Sequence, residues 1–180
     1  KVGGWQKKSW PRPAPLYRQN RLAEYLYAPV LVVEGEKTCD AAESRFLDFV
    51  SVTWPGGSAR AGHADWSVLA GRRVWLLPDA DEPGKKAMSA VAEALRGIVA
   101  ELHLAILPLN LPEGWDVADL EEDADAEAWR AGLQWVTLKG PVAVAPPSED
   151  RFSQELARAN GRGPKYAVHA PASTAFAPLP

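Results

Sequence analysis

RRVWLLPDADEPG, residues Arg72 to Gly84, is the stretch whose reading decides the fold. A mostly apolar run, Arg73–Leu77, is followed closely by two aspartates at alternate positions, Asp79 and Asp81. Pro83 and Gly84 then open a helical pattern. Continuous apolar runs of this kind belong to strands covered on both faces. Proline suits a first helical turn, where its missing N–H has no intrahelical partner. A second stretch repeats the arrangement: APVLVVEGEK, Ala28 to Lys37, runs from a Val30–Val33 strand into Glu34. Two strands therefore deliver Glu34, Asp79 and Asp81 to loops. Carboxylates gathered at one edge of a parallel sheet offer oxygen donors to a hard cation such as Mg²⁺, which points to phosphate chemistry.

Working outward, the pattern alternates strand and helix. Asn20–Tyr27 is expected as a short helix. Thr38 is expected to cap a helix bearing Ala41, Ala42, Phe46 and Phe49. Val50–Trp54 reads as a second strand ended by Pro55-Gly56-Gly57, and Ala64–Leu69 as a short helix closed by Gly71. Ala87, Val91, Leu95 and Ile98 share one helical face after Gly84. Leu102–Leu107 makes a fourth strand. Asp116–Glu121 and Ala126–Gln134 read as short helical segments, and Trp135–Leu138 as a final edge strand. The expectation is an α/β fold with a mostly parallel central sheet of about four strands flanked by helices. Such sheets place their sites beyond the carboxyl ends of the strands, where Glu34 and Asp79 fall.

Residues 1–27 read as an extended basic and proline-rich lead-in, 28–140 as the folded domain, and 141–180 as a proline- and alanine-rich linker or tail with a helical turn or two at Ser153–Ala159. The net charge is −3, unevenly spread. Residues 1–21 hold six Lys/Arg and no acid, while residues 22–150 carry a net −12. An acidic centre with basic flanks suits a metal site whose polyanion contacts come partly from the ends; solvated tails are the plainer alternative. One cysteine, Cys39, excludes an internal disulfide and a multi-cysteine zinc site within the chain, and is expected simply to pack. No apolar run approaches the roughly 20 residues of a membrane helix. The chain starts KVGGWQKK, without signal-like patterning or an initiator Met, so a cytoplasmic chain cut from a longer one is expected.

The two acidic motifs, in their order and spacing, resemble the Toprim domain, a Rossmann-like module shared by bacterial and phage primases, type IA and type II topoisomerases and some nucleases. VVEGEKTCDAA, the WPGG turn, LAGRRVWLLPDADEPGKKA and LPEGWDVADL together resemble primase and primase-helicase Toprim domains of phages, plasmids and integrated mobile elements. The likeness covers about Pro15 to Leu120. It implies Mg²⁺ or Mn²⁺ binding by Glu34, Asp79 and Asp81, with Asp116 as a further ligand and Asp119 less so. It implies catalytic roles for Glu34, Asp79, Asp81 and Lys37, and primer synthesis on a single-stranded DNA template from nucleoside triphosphates. Partners implied are a zinc-binding module and a helicase motor on the same or another chain. The same metal site would serve a nuclease, and a non-catalytic nucleic-acid-binding module is the third reading.

Each residue has a plainer role beside the functional one. Asp81 would cap the helix that follows it, and Asp116 or Asp119 would cap a short helix. Lys37 would either meet phosphate at a helix N-terminus or pair with Glu34 or Glu36. Lys85 and Lys86 are phosphate contacts or an exposed first turn. Trp54, Trp66, Trp75 and Trp129 are expected to pack, and Trp115 to pack or to stack a base. His63 reads as a surface histidine or a substrate contact, and Gly56 and Gly57 as turn backbone or a phosphate cradle. Trp5 and Trp10, among Lys7, Lys8 and Arg12, are candidates to stack single-stranded bases.

Overall fold

The computed structural model describes residues 12–138. Trp5, Trp10, Lys7, Lys8, residues 141–180 and the Ser153–Ala159 segment lie outside the described residues. The chain runs α1 (Gln19–Glu24), β1 (Val30–Val32), α2 (Glu36–Arg45), β2 (Val50–Val52), two 3₁₀ segments at Ser58–His63 and Trp66–Leu69, β3 (Arg73–Leu76), α3 (Glu82–Leu95), β4 (Glu101–Ile106), a 3₁₀ turn at Val117–Asp119, α4 (Ala126–Ala131) and β5 (Gln134–Thr137). The strands form one sheet in the order β2-β1-β3-β4-β5. β1, β2, β3 and β4 are parallel, and β5 runs antiparallel along β4. The sheet thus has five strands, the fifth being the edge strand expected at Trp135–Leu138.

β1 shows why the sheet must be covered on both sides. Successive side chains point to opposite faces. Val30 and Val32 join Val74, Leu76 and Leu102 under α3, through Ala87, Met88, Val91 and Leu95. Leu31 and Val33 join Cys39, Ala42 and Phe46 of the α2 side, with Leu77 and Val117. All four residues of that run are fully buried. Burying each such side chain contributes about 1.5–3 kcal/mol. Cys39 packs, as expected, and burial pushes its thiol well above the ordinary range, so it is inert as a nucleophile.

Several expectations shift. Thr38 does not cap α2: it is buried inside the helix. The helix begins one turn earlier, behind Gly35, whose φ of +82° suits glycine. The Gly35 carbonyl accepts the Cys39 N–H at 3.0 Å. Ala64–Leu69 is not one helix: the chain forms 3₁₀ turns on either side of Ala64 and Asp65, because Asp65 starts a new cap on the Ser67 N–H. Ile98 falls beyond the end of α3, since the helix stops at Leu95 and Gly97 takes a φ of +77°. α1 lies one residue earlier and ends three residues sooner than Asn20–Tyr27. Its end is gripped by Arg72, which donates to the carbonyls of Leu22, Tyr25 and Ala28 at 3.2, 2.6 and 2.9 Å. No helix among the described residues is long and apolar enough to cross a membrane.

Candidate functional site

The parallel strands β1 and β3 are neighbours, with Val32 opposite Leu76. Both leave the sheet at the same end, so Glu34 and Asp79 emerge side by side from adjacent strands. Their surroundings differ from those of ordinary surface acids. Both are half-buried. One Glu34 oxygen, Oε1, accepts the Ser58 hydroxyl. The other, Oε2, is buried without a hydrogen-bond partner. Asp79 is pushed up to about 7, first by burial and then by the charges of Glu34, Asp116, Asp81 and Asp119. Five carboxylates thus share one field.

Two backbone hydrogen bonds hold the third loop against the second. The Ala80 N–H donates to the Trp115 carbonyl at 2.9 Å, and the Gly114 N–H to the Ala80 carbonyl at 3.2 Å. This clasp sets Asp116 beside the 79–81 loop. Gly84 packs tightly there: an added Cβ would lie 3.0 Å from both Asp79 Cβ and Asp81 Oδ1.

Asp81 and Asp116 each make the capping contact, which engages one carboxylate oxygen. Asp81 Oδ1 accepts the Gly84 N–H at 2.6 Å and caps α3. Asp116 Oδ1 accepts the Ala118 N–H at 2.5 Å, and Asp119 Oδ2 returns a bond from the Asp116 N–H at 3.0 Å, a reciprocal capping box. Lys37 pairs with Asp119 at 3.8 Å rather than with Glu34 or Glu36, and its side chain is 74% exposed. Lys85 pairs with Glu82 at 2.8 Å on the exposed first turn, where Lys86 is exposed too. Gly56 and Gly57, at φ +94° and +79°, make the turn that the Trp54 indole N–H closes on the Gly57 carbonyl at 2.9 Å. His63 is half-buried rather than a free surface residue, and its carbonyl receives the Ala14 N–H. Trp54 and Trp66 pack edge to face in the core; Trp115 packs on Trp129 at 4.9 Å, and Trp75 on Phe49 and His103. Ser58 is the residue that sequence reasoning missed; no local pattern signals a contact across 24 residues.

Among the described residues no three acidic, His or Cys side chains close into a ready coordination sphere. The donor set nevertheless fits a hydrated Mg²⁺. That ion is held by one or two carboxylates and keeps several of its waters. Glu34 Oε2, buried and unpartnered, and Asp79, raised by burial and by four neighbouring acids, are the two donors that suit this role best.

No protein-family model matches the chain, and no curated protein matches it. Among solved structures it is similar to the zinc-binding and RNA polymerase domains of the Aquifex aeolicus primase, with 16% identity and a TM-score of 0.47 over 73% of this chain and 32% of that one. It is similar to a DNA primase domain from Pseudomonas aeruginosa, with 19% identity and a TM-score of 0.48 over 82% and 44%. It is also similar to a DnaG primase catalytic domain bound to single-stranded DNA, with 22% identity and a TM-score of 0.43 over 64% and 37%. The chain spans less than half the length of each.

Proposed function

We propose that this chain is the Toprim core of a DNA primase. It would join nucleotides into a primer on single-stranded DNA with Mg²⁺ or Mn²⁺, in the cytoplasm. The reading extends to a phage, plasmid or integrated-element replication protein, acting with a zinc-binding module and a helicase motor on the same or another chain. The observation that carries it is the pairing of Glu34 and Asp79 at the ends of adjacent parallel strands, with Oε2 of Glu34 unpartnered and Asp79 pushed up to about 7 by burial and then by its acidic neighbours.

Primer extension needs a 3′-hydroxyl to lose its proton and a crowded phosphate to bear extra negative charge. A bound divalent cation supplies that charge stabilisation and acidifies the hydroxyl. Glu34 and Asp79 would hold it. Asp79 must lose its own proton to do so, and a cation beside it favours the ionised form. Asp81 and Asp116 keep the loops in place by capping, and their second oxygens add negative potential around the site. Lys37, exposed beside Asp119 at the start of α2, would meet the phosphates of an incoming nucleotide.

The test is primer synthesis with labelled ribonucleotides on single-stranded DNA, comparing wild type with Glu34→Gln and Asp79→Asn and scoring template cleavage in the same lanes. Short metal-dependent products are expected, reduced by more than about 100-fold in either variant. Template cleavage without products would make the site a nuclease instead.

A further inference from the structure

The loop that leaves β2 holds Glu34 in two places. Behind the carboxylate, the Gly35 N–H donates to Thr53 Oγ1 at 3.0 Å, and Thr53 is fully buried. At the carboxylate, the Ser58 hydroxyl donates to Oε1. Ser58 reaches that place because of the turn before it. Gly57 lies at φ +79° and lets the chain double back into the 3₁₀ segment that Ser58 starts. Gly56 lies at φ +94°, and a Cβ there would come within 2.5 Å of Arg60 Cδ. The Trp54 indole, itself buried, ties the turn to the strand end through the Gly57 carbonyl.

Sheet order gives this contact a direction. β1 lies between β2 and β3. Ser58 approaches from the β2 side, whereas Asp79 leaves from β3. A carboxylate can swap its two oxygens by rotation about its last torsion, which is broad and twofold. The serine hydroxyl breaks that symmetry by taking Oε1, and Oε2 stays buried without a partner.

We infer that Ser58 is a positioning residue for the metal-binding carboxylate: it fixes Oε1 of Glu34 so that Oε2 is presented to a cation shared with Asp79. The inference rests on the metal-dependent reading above. Hydrogen-bond partners that orient a ligand are worth about 10–100-fold in metal affinity where they have been removed. Threonine keeps the hydroxyl and its donor; alanine removes them.

The experiment is titration of the full chain with Mn²⁺, following free ion by electron paramagnetic resonance, for wild type, Ser58→Ala and Ser58→Thr, with melting curves on the metal-free proteins. Ser58→Ala is expected to bind Mn²⁺ about 10-fold more weakly, and Ser58→Thr within about twofold of wild type. A serine with only a structural role would lower the melting temperature and leave Mn²⁺ affinity unchanged, and that result overturns the inference. So does tighter binding by Ser58→Ala, which would mean that the hydroxyl blocks an oxygen rather than aiming one. If Ser58→Ala does not fold, weak binding by a well-folded Ser58→Thr overturns it. A wild type that binds no Mn²⁺ removes the metal reading itself, and that failure is seen before any variant is compared.

Discussion

Of the five carboxylates that crowd the end of the sheet, four fall into two unlike pairs. Asp81 and Asp116 sit one residue before a helical turn, and each accepts a backbone N–H from the turn it starts. Glu34 and Asp79 sit directly past β-strands with no helix N–H on their oxygens. One of them keeps a buried oxygen unpartnered, and the other is driven toward its protonated form. All four are carboxylates, and the local backbone sets their surroundings apart. An acid at a helix start has its charge answered by amides. An acid at a strand end must find its answer elsewhere, here the Ser58 hydroxyl for Glu34 and a raised hold on a proton for Asp79.

The sharpest way to break this division is metal-linked stability. Added Mg²⁺ should raise the melting temperature of wild type, as any ligand binding only the folded state does. Glu34→Gln and Asp79→Asn should abolish that rise, while Asp116→Ala keeps it; loss of the rise in Asp116→Ala alone would merge the pairs. Differential scanning fluorimetry across an Mg²⁺ series reads this directly.

A second comparison uses pH without metal. Asp79 moves from an ordinary 3.8 to about 7 on folding, so between those values the folded chain holds a proton that the unfolded chain has lost. Stability from this group is therefore fully present below about 4 and falls as pH rises to about 7, by about 2–3 kcal/mol once partial exposure is allowed for. Asp79→Asn should flatten this slope in urea denaturation followed across pH 4 to 8. Saturating Mg²⁺ should do the same to wild type by taking the proton's place.

The smallest expected effect belongs to the capping pair. Asp81→Ala should cost about 1 kcal/mol in urea denaturation at fixed pH, the usual loss of an N-cap, with Asp81→Asn recovering most of it. A drop in Mn²⁺ affinity comparable to that of Asp79→Asn would instead assign Asp81 to the ligand pair.

Much of the fold was legible because apolar runs and turn residues were strong where the sheet is doubly covered. The Val30–Val33 and Arg73–Leu77 runs located both central strands and the end at which their acids emerge. Two boundaries, those at Gly35 and Gly97, failed where glycine decided them. Gly35, at positive φ, starts α2 ahead of Thr38, the residue with the better side-chain signal. The site was half legible. An aspartate between a strand and a helix satisfies a capping pattern and a ligand pattern equally, so DADEPG could not by itself separate Asp79 from Asp81. Ser58 was invisible because its hydroxyl meets Glu34 only through the sheet order.

The clasp between Ala80 and the Gly114–Trp115 backbone has a bearing on how such a chain diversifies. The connection from 107 to 113, with Leu109 wholly exposed, is anchored at its far end before it reaches Asp116. Residues added or lost upstream of that anchor change the outer rim and leave the spacing of the acids alone. A change of length or charge in this stretch is therefore expected to be tolerated while the carboxylates behind it stay in register.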